Sequence, residues 1–133
     1  MLVITARVKP LGQRIKKMRT PIKTTKKTIE DLYGAYDIYD AEVSSGEYEP
    51  ELWDINESSK TILLDHAKGA AMFLNCLNGE IQNCENTMCD EPESYGIAYR
   101  RIKRLEKLEA LVLEKFGDQI ESHLYGMWRV ASI

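Results

Sequence analysis

The chain has 133 residues, of which 44% are apolar and 29% charged, with a formal net charge of -3. This length suits one ordinary domain, and the composition is globular, which argues against a disordered or membrane-embedded chain. No apolar run approaches the ~20 residues that cross a bilayer, and the start MLVITARVKP lacks the apolar core of a signal peptide. We therefore expect a cytoplasmic protein, or a virion component if its source is viral, with no membrane partner.

The basic and acidic residues lie in separate blocks of the chain. Residues 1–27 hold nine Lys or Arg and no acid, whereas residues 28–59 hold ten Asp or Glu and no base. Such blocks concern partners rather than fold. This division is the strongest functional signal in the sequence.

The N-terminal region predicts an extended arm. Apolar Leu2, Ile4, Ala6 and Val8 alternate with other residues, as in a strand with one buried face. Residues 11–19 fit either a helix or the second strand of a hairpin. We treat residues 1–27 as a basic N-terminal arm, a strand or hairpin with a possible short helix.

Residues 28–133 predict a helical domain. A first helix, 28–44, starts at the N-cap Thr28. A second starts at Asp54, which has capping-box spacing to Glu57, and continues through Ile81 with His66 on its core stripe. A polar loop of about a dozen residues, 83–94, follows.

The last part of the chain predicts two more helices. Ser94 caps a third helix that Gly117 ends, and a short final helix starts at Asp118. The core stripe of the third helix is Ala98, Ile102, Leu105, Leu108, Val112 and Phe116. The sequence thus predicts a mainly α fold: a single-domain bundle of about four helices with an N-terminal extended or β-hairpin basic arm.

Two basic groups are candidates for binding a partner or an anion. The arm supplies Arg14, Lys16, Lys17, Arg19, Lys23, Lys26 and Lys27. The third helix supplies Arg100, Arg104 and Lys107, which share one face at i, i+4 and i+7. The simpler interpretation, which we favour, is an intramolecular ion pair between this face and Glu30 or Asp37 of the first helix.

A candidate acidic and aromatic interface follows the arm. Its members are Tyr33, Tyr36, Asp37, Tyr48 and Trp53. Most of these aromatic side chains should pack in or beside the core, but Tyr and Trp are also enriched at protein interfaces.

The sequence predicts no metal site, cofactor or catalytic residue. Cys76, Cys84 and Cys89 have no disulfide-framework spacing, and structural zinc would need a second close ligand pair. Neither a Gly-rich phosphate loop nor a nucleophile elbow is present.

Three functional hypotheses remain at this stage. The first is a non-enzymatic assembly or adaptor protein, whose basic arm docks on the acidic, Tyr-rich surface of a neighbouring copy or a partner, a build also found in small phage connector and structural proteins. The second is a sequence-independent nucleic-acid-binding regulator. The third is a magnesium-dependent helical nucleotide pyrophosphohydrolase using Glu30, Asp37 and Asp40, which otherwise form a solvated acidic face.

Overall fold

The computed structural model describes residues 19–120 of the chain, without the side chain of Asp118. It contains three strands, β1 (Thr20–Lys23), β2 (Trp53–Asn56) and β3 (Thr61–Leu64), and four α-helices, α1 (Lys26–Asp31), α2 (Tyr33–Ser44), α3 (His66–Asp90) and α4 (Tyr95–Phe116), within this range. The predicted mainly α fold is confirmed, with a small antiparallel sheet formed near the N-terminal region. None of these helices is long and apolar enough to cross a membrane.

Several predictions fall outside the described residues. They are the strand at 2–8, the choice between strand and helix for 11–18, the cations Arg14, Lys16 and Lys17, and the final helix beyond Ile120. The domain boundary at residue 27 also stays a prediction. Residues 19–27, the described part of the arm, form β1 and the first turn of α1.

The sheet has the strand order β1-β3-β2, with both pairings antiparallel. The prediction that a helix starts at Asp54 is wrong, because residues 53–64 form a β-hairpin. Its turn is closed by the Asn56 side chain, which accepts a hydrogen bond from the Ser59 N–H, and Lys60 has a φ of 55°. Ile62 and Leu64 point into the core from the central strand, where β-branched and apolar side chains pack well.

The first predicted helix is divided into α1 and α2 at Leu32, which is fully buried. Its N-cap is Thr25 rather than Thr28: the Thr25 hydroxyl accepts a hydrogen bond from the Thr28 N–H, which otherwise has no partner in the first turn. The N-cap of α1 therefore lies three residues earlier in the chain than the sequence predicts.

Helix α3 is displaced toward the C-terminus relative to its prediction. His66, predicted in the core, is instead its exposed first residue, with a φ of 57°. The helix then continues through most of the predicted loop, because residues 83–91 contain no Gly or Pro and because Cys84 and Met88 extend the stripe that packs on the core.

Helix α4 has the predicted pattern. All six residues of its core stripe are buried, and Gly117 ends it with a φ of 54°. A single 3₁₀ turn at 92–94 separates α3 from α4, so the two long helices form an αα-hairpin. Their packing leaves one long face of α4 in solvent.

Candidate functional site: the outer face of helix α4

A buried ion pair connects α1 to α4. The Asp31 carboxylate, only 2% exposed, accepts hydrogen bonds from Arg101 Nε at 3.2 Å and from Arg104 Nη2 at 3.1 Å, and Arg104 Nε makes a further contact. The hydrogen bond to Asp31 raises the pKa of Arg104. An ion pair between the first and third predicted helices therefore exists, but Asp31 provides the acid in place of Glu30 or Asp37.

A second buried carboxylate, Glu80 of α3, lies near this ion pair. Its carboxylate lies over Gly34, where a methyl group would overlap it, and Cys84 Sγ is 4.0 Å from Glu80 Oε2. Burial is the main cause that raises the pKa of Glu80; Asp31 adds to the rise, while hydrogen bonding from Asn83 and the charge of Arg101 oppose it. The charges of Asp31 and Arg104 are thus paired at this junction, whereas burial disfavours the charge of Glu80.

Lys23 and Lys107 have no such internal compensation. No carboxylate of the described residues forms an ion pair with either ammonium group. Both lysines line one groove of about 480 Å³, together with Thr24, Thr25, Thr28, Arg104, Leu108 and Leu111. The structure therefore brings a cation of the predicted arm beside two cations of the predicted stripe.

The other described candidate cations lie elsewhere. Arg19 turns toward the start of β2 and donates to the Glu51 carbonyl at 3.0 Å. Lys26 and Lys27 are exposed on α1, and Lys26 borders a pocket that also contains Glu30 and Glu57. Arg100 is exposed on α4. The four described cations of the arm, Arg19, Lys23, Lys26 and Lys27, thus do not share one surface.

The outer face of α4 also carries apolar side chains that sequence reasoning missed. Among the described residues, five large apolar or aromatic side chains are exposed, and four belong to α4: Tyr95, Ile97, Tyr99 and Leu111. The Tyr95 and Tyr99 rings are stacked with centroids 6.3 Å apart, and Lys103 Nζ lies 5.2 Å from the Tyr99 centroid. Their helical spacing places Tyr95 and Tyr99 on one side of the buried stripe and Ile97 and Leu111 on the other, so the sequence could have identified them as lying off the core.

The predicted acidic and aromatic interface is divided between core and surface. Trp53 is 1% exposed and packs edge-on against Phe73 at 4.8 Å and Tyr36 at 5.2 Å, so we assign it to the core rather than to an interface. Tyr36 and Tyr48 are half-buried beside it. The buried Trp53 indole stabilises the fold through its large apolar area. A partner could contact it only if this part of the protein unfolded.

The exposed remainder forms an acidic row along α1 and α2, defined by Glu30, Tyr33, Asp37 and Asp40. The Tyr33 hydroxyl donates to Glu57 at 2.6 Å, a hydrogen bond that raises the pKa of Tyr33. The α1 end of this row lies near α4, because the neighbouring Asp31 pairs with Arg101 and Arg104. Glu30 is the member of the row that comes close to Arg104.

The described cysteines differ in their exposure to solvent. Cys76 and Cys84 are buried, Cys89 is exposed, and burial raises the pKa of the Cys76 thiol to about 12. Within residues 19–120, no group of three His, Cys, Asp or Glu side chains is placed to hold a metal ion.

The chain matches no family model, no curated protein and no solved structure. Its function must therefore be inferred from the surfaces described above.

Proposed function

We propose that the protein is a non-enzymatic assembly protein that pairs with a second copy of itself through the outer face of α4. The observation that carries this proposal is the concentration of exposed apolar side chains on that one helix. Ile97, the most exposed of them at 58%, would lose unfavourable contact with water in an interface.

The composition of the α4 face fits a protein interface. Tyr95 and Tyr99 combine large apolar area with hydroxyl groups, and Arg100 lies next to them in the sequence and is exposed. Aromatic residues and Arg are the types enriched at interface cores, where they bury large areas and retain hydrogen-bonding groups.

The neighbouring acidic row supplies the complementary surface. Under a two-fold axis, each copy presents the same patch, so a patch with both charge signs side by side can pair with itself. The acidic row of one copy, including Asp37, would meet the α4 cations of the other. We place the contact on α4 rather than on the arm because the described part of the arm already belongs to its own subunit's fold.

Mass measured by light scattering or sedimentation equilibrium over a range of concentrations tests this proposal. We expect a dimer that Ile97→Ser and Arg100→Glu each weaken, whereas Lys60→Ser in the hairpin turn serves as an exposed control. A charge exchange gives the sharper test: Asp37→Arg combined with Arg100→Glu should restore some of the association lost in Arg100→Glu. A wild-type chain that stays monomeric at every concentration would reject the proposal.

Nucleic-acid binding is a second candidate, favoured by the stacked Tyr95 and Tyr99 rings beside Arg100 and Lys103. Aromatic platforms next to cations are typical of single-strand binding, in which bases stack on the rings. We expect a mobility shift that weakens as salt rises, and Tyr99→Ala should weaken single-strand binding more than duplex binding. In either role we place the protein in the cytoplasm, or in a virion if its source is viral.

A further inference from the structure

The groove between β1 and α4 shares Leu111 with the interface proposed above and otherwise differs from it. Its polar lining includes Lys23 and Thr24 at the end of β1 and Lys107 on α4, and its apolar lining consists of Leu108 and Leu111. A neighbouring groove of about 580 Å³ shares Lys23 and Leu111 and is also lined by Pro21, Ile22, Glu114 and Lys115. Volumes of this size suit small-molecule ligands.

The positively charged side chains of this groove favour an anionic ligand. Lys23 and Lys107 have no carboxylate partner among the described residues, and no acid lines the groove of about 480 Å³, although Glu114 lines its neighbour. Arg104, the third cation of the lining, is already paired with the buried Asp31. Two ammonium groups without an acidic partner favour an anionic ligand that accepts hydrogen bonds from both.

Two threonine hydroxyl groups also line the groove. Thr28 is 6% exposed, and its hydroxyl is hydrogen-bonded to the Thr25 hydroxyl at 3.1 Å. This contact uses one of the two hydroxyl protons, and the exposed Thr25 can donate the other to water or to a phosphate oxygen in the groove.

An added strand does not suit the edge of β1 as the occupant. Thr24 N–H donates to Lys60 O at 2.9 Å, and alternation along the antiparallel ladder then directs the backbone of Pro21 and Lys23 toward the edge of β1 that no described strand covers. Since Pro21 has no N–H, that edge is a poor template for a further strand.

We propose that this groove binds a small phosphate monoester, with its phosphate between Lys23 and Lys107 and its apolar body along Leu108 and Leu111. Hydroxyl and ammonium donors suit a phosphate group, and the mixed lining suits an organic phosphate better than the free ion. The size and chemistry correspond to a nucleoside monophosphate.

Isothermal titration of the full chain with adenosine monophosphate tests the proposal, with adenosine and inorganic phosphate as comparison probes. We expect adenosine monophosphate to bind, inorganic phosphate to compete with it, and adenosine to bind more weakly. Lys23→Ala and Lys107→Ala should each weaken binding about tenfold, the loss of one charge-assisted contact. Lys103→Ala, one turn earlier on α4 and outside the groove, should leave binding nearly unchanged.

Three outcomes would overturn the proposal. They are no binding of adenosine monophosphate, equal losses in the Lys107→Ala and Lys103→Ala variants, and binding of an oligonucleotide without binding of the monophosphate, which would indicate nucleic-acid recognition instead. Near-UV circular dichroism confirms that the surface variants are folded. Light scattering on the same samples separates the two proposals, because a monomer that binds the monophosphate rejects the dimer and keeps this site.

Discussion

Replacing Asp31 with Asn tests whether the buried ion pair holds α1 against α4. The substitution keeps the shape of the side chain but leaves two guanidinium groups without their anion. Removing one partner of a fully buried pair costs about 3 to 5 kcal/mol. Since Arg101 and Arg104 are 42% and 27% exposed, water can partly solvate them, and we expect a loss of about 2 kcal/mol.

Urea denaturation at neutral pH measures this loss, and the thermal midpoint should fall by roughly 6 to 10 °C for a domain of this size. The matched control is Asp90→Asn, an exposed acid at the end of α3, which should change the free energy of unfolding by no more than about 0.5 kcal/mol. A double-mutant cycle with Arg104→Met should give a coupling energy of about 1 kcal/mol. Equal unfolding midpoints for Asp31→Asn and Asp90→Asn would refute this account of the junction.

Three further predictions concern α3 and its neighbours. Because burial raises the pKa of Glu80 above its ordinary 4.5, the folded state loses stability as pH rises from that value through the raised pKa, so Glu80→Gln should stabilise the protein more at pH 8 than at pH 4 in urea titrations. An equal effect at both values would contradict this. Gly34→Ala should lower the thermal midpoint although Ala favours helix, because its methyl group displaces the Glu80 carboxylate; a raised midpoint would show that Glu80 moves aside freely. In a native thiol titration only the exposed Cys89 should react rapidly, and Cys89→Ser should remove that phase, whereas rapid reaction of Cys76 would conflict with its raised pKa.

The sequence predicts α4 well because its signal is local. Six apolar residues repeat at helical spacing from Ala98 to Phe116, and all six are buried. The hairpin at 53–64 was missed because Asp54 and Glu57 have capping-box spacing, and because Ile62 and Leu63 also fit the stripe of the following helix. Residues 61–64 form a strand because they pair with β1 at residues 20–23. The local spacing of apolar residues does not reveal such pairing.

The buried ion pair at Asp31 also shows that local sequence spacing does not reveal contacts between distant parts of the chain. Sequence spacing selected Glu30 and Asp37 because they share an exposed face, whereas the acid that reaches α4 is Asp31, beside the break at Leu32. Which residue of an acidic run points inward depends on how α1 turns into α2, and that turn follows from burying Leu32. The sequence pattern thus predicts an ion pair between these helices, but it does not predict which acid forms it.

The charge blocks of the sequence act only at short range in the fold. The net charge is -3, so the whole molecule gives a distant polyanion no favourable field. Cations that remain uncompensated, such as Lys23 and Lys107, attract an anion only within a Debye length of about 8 Å at physiological salt. A small phosphate ligand, or a second copy docked on α4, lies within this distance of the cations and is therefore attracted by them. An extended nucleic acid along α4 would also meet the exposed acid Glu30 near Arg104, and that repulsion favours the first two partners over the third.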